Sequence, residues 1–464
     1  MIFKSSIVAF AGLFFLGSIL TAQHNTNEIL SSHPYNFFRY FHMCFPRADQ
    51  EHKPPPTTLD PASIYILYDV NPPEGFNLRR DVYIRLAVFL RSLKLRPGHS
   101  NAKLVLPPWS ELYHWRSSIL NQLHIPWGHF FDLESMKRYA DVIELHELFT
   151  EHKLRFPEKP SIRIDEYYQL LNFEDMFENG VFVDKFERKA CTKGPLPPVG
   201  GVHGVMGYRN ITIDDRICVK FQGSASLLFN MFEKFKSSTA GQFRIIFINN
   251  AEIVLHDYWG NVDYWEARRS LRFNAQLVQE ANRFRLEQFN STNEWDRVQR
   301  PASWTDEKPY RRARGGEYLC AHIRRADFMY GRERTTPTLY SAAIQIKRKL
   351  LELGLRKIFI SSDGSKMDFH ELKNYLKRFK VVRYVPESQQ ELARFKDGGV
   401  AIIDQIICSH ARFFIGTYES TFTYRIYEER EILGFPKDLT FNTFCREEET
   451  TNCERNSIWP IQYD

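Results

Sequence analysis

Four times between Glu317 and Glu431 a short apolar run gives way to a longer segment with helical spacing. The runs are Glu317–Arg324, Lys357–Asp363, Val381–Pro386 and Arg412–Thr417. The helical segments are Thr338–Leu353, Lys366–Phe379, Gly399–His410 and Ser420–Glu431. Runs this short, apolar on both faces and separated by crossovers of helix length, predict a parallel, doubly wound sheet. The same order occurs near the front of the chain. There the strand-like Ile64–Val70 leads into a Gly/Pro loop, Asn71–Asn77. A helix with Val82, Ile84, Leu86, Phe89, Leu90 and Leu93 on its apolar side follows, and then the strand-like Ala102–Pro107. The chain's 464 residues suit two domains. The expected fold is α/β: two Rossmann-like doubly wound domains facing a cleft, 62–300 and 301–464, connected by the polar stretch Asn290–Gly316.

Composition narrows the function. Hydrophobic residues make up 43% of the chain and aromatic residues 15%, which argues against disorder outside the ends. The net charge of +6 is small for this length, so a nucleic-acid binder is not indicated, while a mild excess of base suits an anionic ligand. Lys4 followed by the uncharged Ser5–Gln23 predicts a signal peptide over 1–22, with a polar lead-in over 23–61. Its apolar middle, Ile7–Leu20, falls short of the roughly 20 residues of a membrane span, so cleavage that leaves no stable span is expected, with a signal anchor retained in the membrane as the alternative. The seven cysteines fit an oxidising compartment. Cys191 with Cys218, and Cys445 with Cys453, stand out by close spacing, whereas Cys320 and Cys408 lie in apolar runs and read as buried thiols. Asn210 and Asn290 head N-glycosylation sequons.

In parallel α/β sheets, ligands bind beyond the carboxyl ends of the strands. Glu74 is the only carboxylate of the Asn71–Asn77 loop. It reads either as a general base for an attacking hydroxyl or as a solvated loop acid. Gly75 beside it allows close backbone approach. At the next strand end His322 and Arg324 point one way and Arg325 the other. An Arg there binds phosphate bidentately and stabilises a leaving diphosphate. The plainer alternatives are an Arg325–Asp327 ion pair and a hydrogen-bonded core His322. The Gly416–Phe422 turn offers helix-start N–H groups and the Ser420 and Thr421 hydroxyls to an anion, or is an ordinary N-cap. Asp404, alone on the apolar Gly399–Cys408 helix, needs a partner if it is buried, either a guanine edge or a salt bridge or cap within the fold. The chain has no Asp-x-Asp, no P-loop, no Cys-x-x-Cys and no His-Glu-x-x-His. Metal–diphosphate, P-loop, redox and zincin readings therefore lose support.

The runs Tyr68–Asp81, Leu106–Trp109, Leu112–Trp115, His322–Phe328, Lys396–Gln405, His410–Thr417 and Arg425–Gly434 closely resemble the GDP-fucose protein O-fucosyltransferase family, in its thrombospondin-repeat-specific branch. The resemblance implies a GT-B-type, inverting enzyme of the endoplasmic reticulum lumen. It would transfer fucose from GDP-fucose to Ser or Thr of a folded thrombospondin type 1 repeat. It implies Glu74 as general base and Arg324 as the residue meeting diphosphate charge. Pro73, Glu74, Gly75, Phe76, Asn77, His322, Ile323, Arg324, Asp404, Thr421 and Phe422 would bind the donor. Cys191–Cys218 and Cys445–Cys453 match the family's disulfides. No permanently bound cofactor or metal is implied, though Mn²⁺ stimulation is compatible. Two departures stand out: Ala326 occupies a position where the family pattern has Lys, and Glu419 puts an acid beside the diphosphate site. The stretch 151–216 matches poorly. Two rival readings remain open: a fucosyltransferase for another folded disulfide-bonded repeat, and a non-catalytic sensor of client folding.

Overall fold

The computed structural model describes residues 62–464 except 116, 174–182, 193, 234–241, 334–335, 441 and 447–459. The expected signal peptide and lead-in fall outside the described residues, as does Cys453.

The first sheet grows from β1 (Ala62–Tyr68), buried at every position from Ile64 to Tyr68. Strands β2 (Ala102–Leu106) and β3 (Val142–Glu144) extend it on one side. A parallel pair, β4 (Ile162–Ile164) with β7 (Ile211–Ile213), stands apart. The other side of β1 is built from β5 (Glu166–Leu171), β6 (Lys185–Lys189), β8 (Arg216–Gln222) and β9 (Gln242–Asn249). The order is β3-β2-β1-β9-β5-β8-β6, parallel throughout except for the antiparallel edge strand β6. The second sheet holds β10 (Gly316–Ile323), β11 (Lys357–Ser362), β12 (Lys380–Val382) and β13 (Ala411–Gly416), all parallel, in the order β12-β11-β10-β13. The middle of the chain, unassigned from sequence, thus supplies β9, which pairs with β1, and β5, which pairs with β9.

The helix after β1 starts at Phe76, directly beyond Gly75, and runs to Lys94. The sequence loop is therefore shorter than expected, with Phe76 and Asn77 in the first helical turn. Phe76 is buried, its ring 4.7 Å from Trp109 and 5.5 Å from Phe130.

The two sheets share one core. Helix Ala275–Phe289 packs on the second sheet through Phe284 against Phe359 and Phe289 against Tyr318. Helix Thr421–Leu433 reaches back to the first lobe through buried charge. Arg268 pairs with Glu428 at 2.7 Å and Glu429 at 2.9 Å, and Arg425 lies 2.9 Å from Glu428 and 3.4 Å from Asp81. The Tyr264 hydroxyl is 2.9 Å from both Asp81 and Glu428. Removing one partner of a buried pair strands the others, so Glu428→Ala is expected to cost about 3–5 kcal/mol of folding stability. Denaturant unfolding checks this, and an unchanged midpoint would mean the network is dispensable.

Cys191 and Cys218 are bonded, tying a loop to β8. Cys320 and Cys408, expected as thiols, are instead bonded to each other. The correction has a simple cause. Helix Gln389–Ser409 packs directly on β10 and brings the two Cα atoms to 5.1 Å, within disulfide reach. Cys445 is disulfide-bonded, but its expected partner Cys453 is among the residues left undescribed. Asn210 and Asn290 are both exposed, as glycan acceptors must be.

Candidate active site

The turn beyond β1 is held by its own charges. Arg79, one helical turn downstream, donates from Nε to the Glu74 carbonyl (3.1 Å) and from Nη2 to the carbonyls of Val70 (3.0 Å) and Asn71 (3.3 Å). Its Nη1 pairs with Asp69 at 2.9 Å. From behind, Glu252 at the end of β9 accepts the Asn71 N–H at 3.1 Å. Glu74 is half-buried, and that burial raises its carboxyl above the ordinary range against the pull of Arg79. Burial also pushes Glu252 up to about 7, with Glu74 adding to the effect. Two carboxyls with raised affinity for protons therefore share one turn.

At the end of β10 the backbone N–H of Arg324 donates to Thr417 Oγ1 at 2.9 Å. Its guanidinium, mostly buried, stands 2.7 Å from Asp327 and 2.7 Å from Asp363. Both are close ion pairs, and Nη2 also lies 3.2 and 3.3 Å from the two ring nitrogens of His114. Asp327 thus pairs with Arg324, not Arg325. The strand ends at Ile323 and its side-chain alternation ends with it. Arg325 turns instead to Asp368 at 3.8 Å. His322 is buried, hydrogen-bonded to Thr423 Oγ1 at 2.7 Å and stacked on Phe422 with ring centroids 4.4 Å apart. Burial, with the charge of Arg324, pushes it down to about 3, so the ring is neutral. The reading of His322 as a hydrogen-bonded core residue holds, and its ring is the wall against which Phe422 stands. Ile323 is buried in the sheet, leaving only its backbone for a ligand.

Helix Thr421–Leu433 begins with Thr421 exposed and Phe422 half-buried. Glu419 before it is paired with Arg332, so the acid flagged in the sequence is neutralised by a neighbour. Asp404 accepts from Ser361 Oγ at 2.7 Å through one oxygen, while Oδ1 is enclosed with no hydrogen-bond partner. Burial pushes this carboxyl up to about 7, against Ser361 and Arg383.

The 107–125 segment beyond β2 crosses to the second lobe. Asp397 accepts from Ser117 N–H (2.9 Å), Ser117 Oγ (2.6 Å) and Gln122 Nε2 (3.1 Å). Trp115 packs so closely on Gly398 that a Cβ there would lie 2.8 Å from its ring. Between them, Asn77 accepts from Gln405 at 2.8 Å, and Gln405 accepts from Arg80 at 2.7 Å. The Glu74 turn and the Arg324 strand end are thereby brought to one groove, with His114 touching both. Behind the turn lies a cavity of about 230 Å³, walled by Tyr68, Pro72, Pro108, Trp109, Met206 and Phe247. Among the described residues no cluster of His, Cys, Asp or Glu is arranged to hold a metal ion. Sequence reasoning singled out neither Arg79, Glu252 nor His114.

Two mostly parallel sheets turning their carboxyl ends to one groove, a carboxylate on one side and an arginine with a helix start on the other, define a GT-B-type glycosyltransferase. The sequence profile of the GDP-fucose protein O-fucosyltransferase family matches residues 65–433. The chain is 47% identical over 428 residues to GDP-fucose protein O-fucosyltransferase 2 of Drosophila melanogaster, covering 89% of this chain and 86% of that one. It is 39% identical over 407 residues to the protein of that name in Homo sapiens, covering 86% and 90%. A crystal structure of POFUT1 in complex with GDP-fucose shares the fold with a TM-score of 0.52 at 15% identity, over 83% of this chain and 99% of that one. The chain belongs to the GDP-fucose protein O-fucosyltransferase family and is a fucosyltransferase.

Proposed function

We propose that the protein transfers fucose from GDP-fucose, with inversion, to a Ser or Thr hydroxyl of folded thrombospondin type 1 repeats in the lumen of the endoplasmic reticulum. The observation that carries this reading is the meeting of the Glu74 turn and the Arg324 strand end at one groove, with His114 in contact with both sides. Glu74 takes the proton of the acceptor hydroxyl as its oxygen bonds to the fucose anomeric carbon. The bond from that carbon to the diphosphate breaks, and its electron pair leaves with GDP. Arg324 and the N–H groups at Thr421 and Phe422 meet the departing charge. Pro73 and Gly75 line the turn, and Phe76, buried, offers backbone alone. Two cysteine pairings and exposed sequons support a secretory-pathway setting, and the relatives' names support a protein as acceptor.

Transfer to purified thrombospondin type 1 repeats, folded and reduced, tests the acceptor, with an epidermal-growth-factor-like repeat as control. The anomeric configuration of the product tests inversion. Equal transfer to all three acceptors, or a retained configuration, defeats the proposal.

The guanine edge carries N–H donors that suit the enclosed oxygen of Asp404, and only the ionised carboxylate accepts them fully. Since the free carboxyl titrates near 7, GDP affinity should fall by up to about tenfold per pH unit below that value and level off above it. Calorimetry of GDP binding across this range, with proton release measured, checks the expectation. Asp404→Asn should bind weakly and lose the pH dependence. A flat profile in the unmodified protein contradicts the assignment.

A further inference from the structure

We propose that His114 is the positioning residue of the reaction centre, the imidazole that sets the plane of the Arg324 guanidinium and its spacing from the Glu74 turn. The inference rests on the roles given above to Glu74 and Arg324.

Three observations carry it. Arg324 Nη2 lies 3.2 Å from His114 Nδ1 and 3.3 Å from Nε2. These nitrogens flank Cε1, so a group equidistant from both in the ring plane would collide with that carbon. The guanidinium nitrogen therefore stands over the ring face, an arrangement that suits the planar, delocalised cation of Arg. On the other side, a Cβ on Gly75 would lie 2.8 Å from His114 Cδ2 and 2.9 Å from Nε2. The residue next to the base is thus a glycine where the ring passes. Finally, the segment carrying His114 is fixed on the second lobe by Trp115 against Gly398 and by Ser117 and Gln122 on Asp397. One ring is clamped between the two groups whose separation decides whether base and leaving group line up.

His114 acts through Arg324, so the face of the ring matters more than its nitrogens. His114→Gln matches the length and loses the face, while His114→Phe keeps the face and loses the nitrogens. His114→Gln is expected to lower kcat about 10- to 100-fold, the scale of a misplaced reacting group. KM for the acceptor should stay within about threefold, and His114→Phe should recover most of kcat. Gly75→Ala should lower kcat by pushing the ring. In a His114→Gln background it should add little, because the two substitutions act through one contact. Each variant is compared by thermal unfolding and by GDP binding. A His114→Gln enzyme at full kcat, a His114→Phe enzyme as slow as His114→Gln, or strictly additive Gly75 and His114 effects would overturn the proposal. If substitutions at Glu74 and Arg324 themselves leave the rate intact, the reading of the site fails instead, and the two failures are separable.

Discussion

Glu74→Gln is expected to lower turnover about 10²-fold or more while GDP binding survives. The amide keeps the size and hydrogen-bonding reach of the side chain but cannot take up the acceptor proton. On the proposed reading the groups that meet the diphosphate and the guanine, Arg324, Asp404, Thr421 and Phe422, stand on the other lobe, so the loss should fall on kcat, not on GDP affinity. The surroundings of Glu74 also fix the pH dependence. Burial raises its carboxyl, opposed by Arg79, and the neighbouring carboxyl of Glu252 sits near 7. A base must be ionised, so the rate should rise with pH, and its acid limb should lie above the ordinary carboxylate range. Glu252→Gln can still accept the Asn71 N–H. Glu252 binds its proton up to about 7 and is raised by an ionised Glu74, so it is neutral where Glu74 ionises, and its replacement should leave an acid limb set by Glu74 in place. The measurement is kcat against pH with a folded acceptor at saturation. A folded Glu74→Gln protein that binds GDP and works at full rate would remove the base from the mechanism.

What the sequence made legible, and what it hid, follows from the range of the interactions involved. Strands β10, β11 and β13 and the helices between them were readable because each apolar run is short, uncharged inside and bounded by helical spacing. Their order along the chain largely dictates a parallel sheet. The middle of the chain resisted because β8 carries Arg216, Lys220 and Gln222 along an edge-ward strand. β9 is apolar enough to be seen, but nothing local says that it inserts between β1 and β5. That omission hid Glu252. It stands just past the end of β9, where the strand-end rule that found Glu74 and Arg324 would have found it too. Cys320 and Cys408 are separated by 88 residues, and only the packing of a helix on β10 reveals that they meet. His114 lies in the Leu112–Trp115 run that carries part of the resemblance, but nothing in that run says which of its residues faces the groove. Its significance comes from a contact across the groove. Local periodicity gave the strand ends, and long-range packing alone gave the residues that hold them in register.

Arg324→Lys is expected to be nearly as damaging as Arg324→Ala, with kcat lowered about 10²- to 10³-fold, the scale of removing a donor from a developing oxyanion. A lysine keeps the charge, so a purely electrostatic role predicts partial rescue. The geometry argues otherwise. One guanidinium lies 2.7 Å from both Asp327 and Asp363, lies over the face of His114, and must still present N–H donors to a diphosphate. Its five donors in a rigid plane allow these demands to be met together. An ammonium group held between two carboxylates would be drawn onto them, with no flat surface for the imidazole and no second edge for phosphate. The same competition predicts that Asp327→Asn partly restores Arg324→Lys, since it frees the ammonium from one of its two anchors. Single-turnover rates for the four proteins, read beside GDP affinity, separate the possibilities. If Arg324→Lys retains a rate within about threefold of the unmodified enzyme, charge alone suffices and the planar fork is not what the reaction uses.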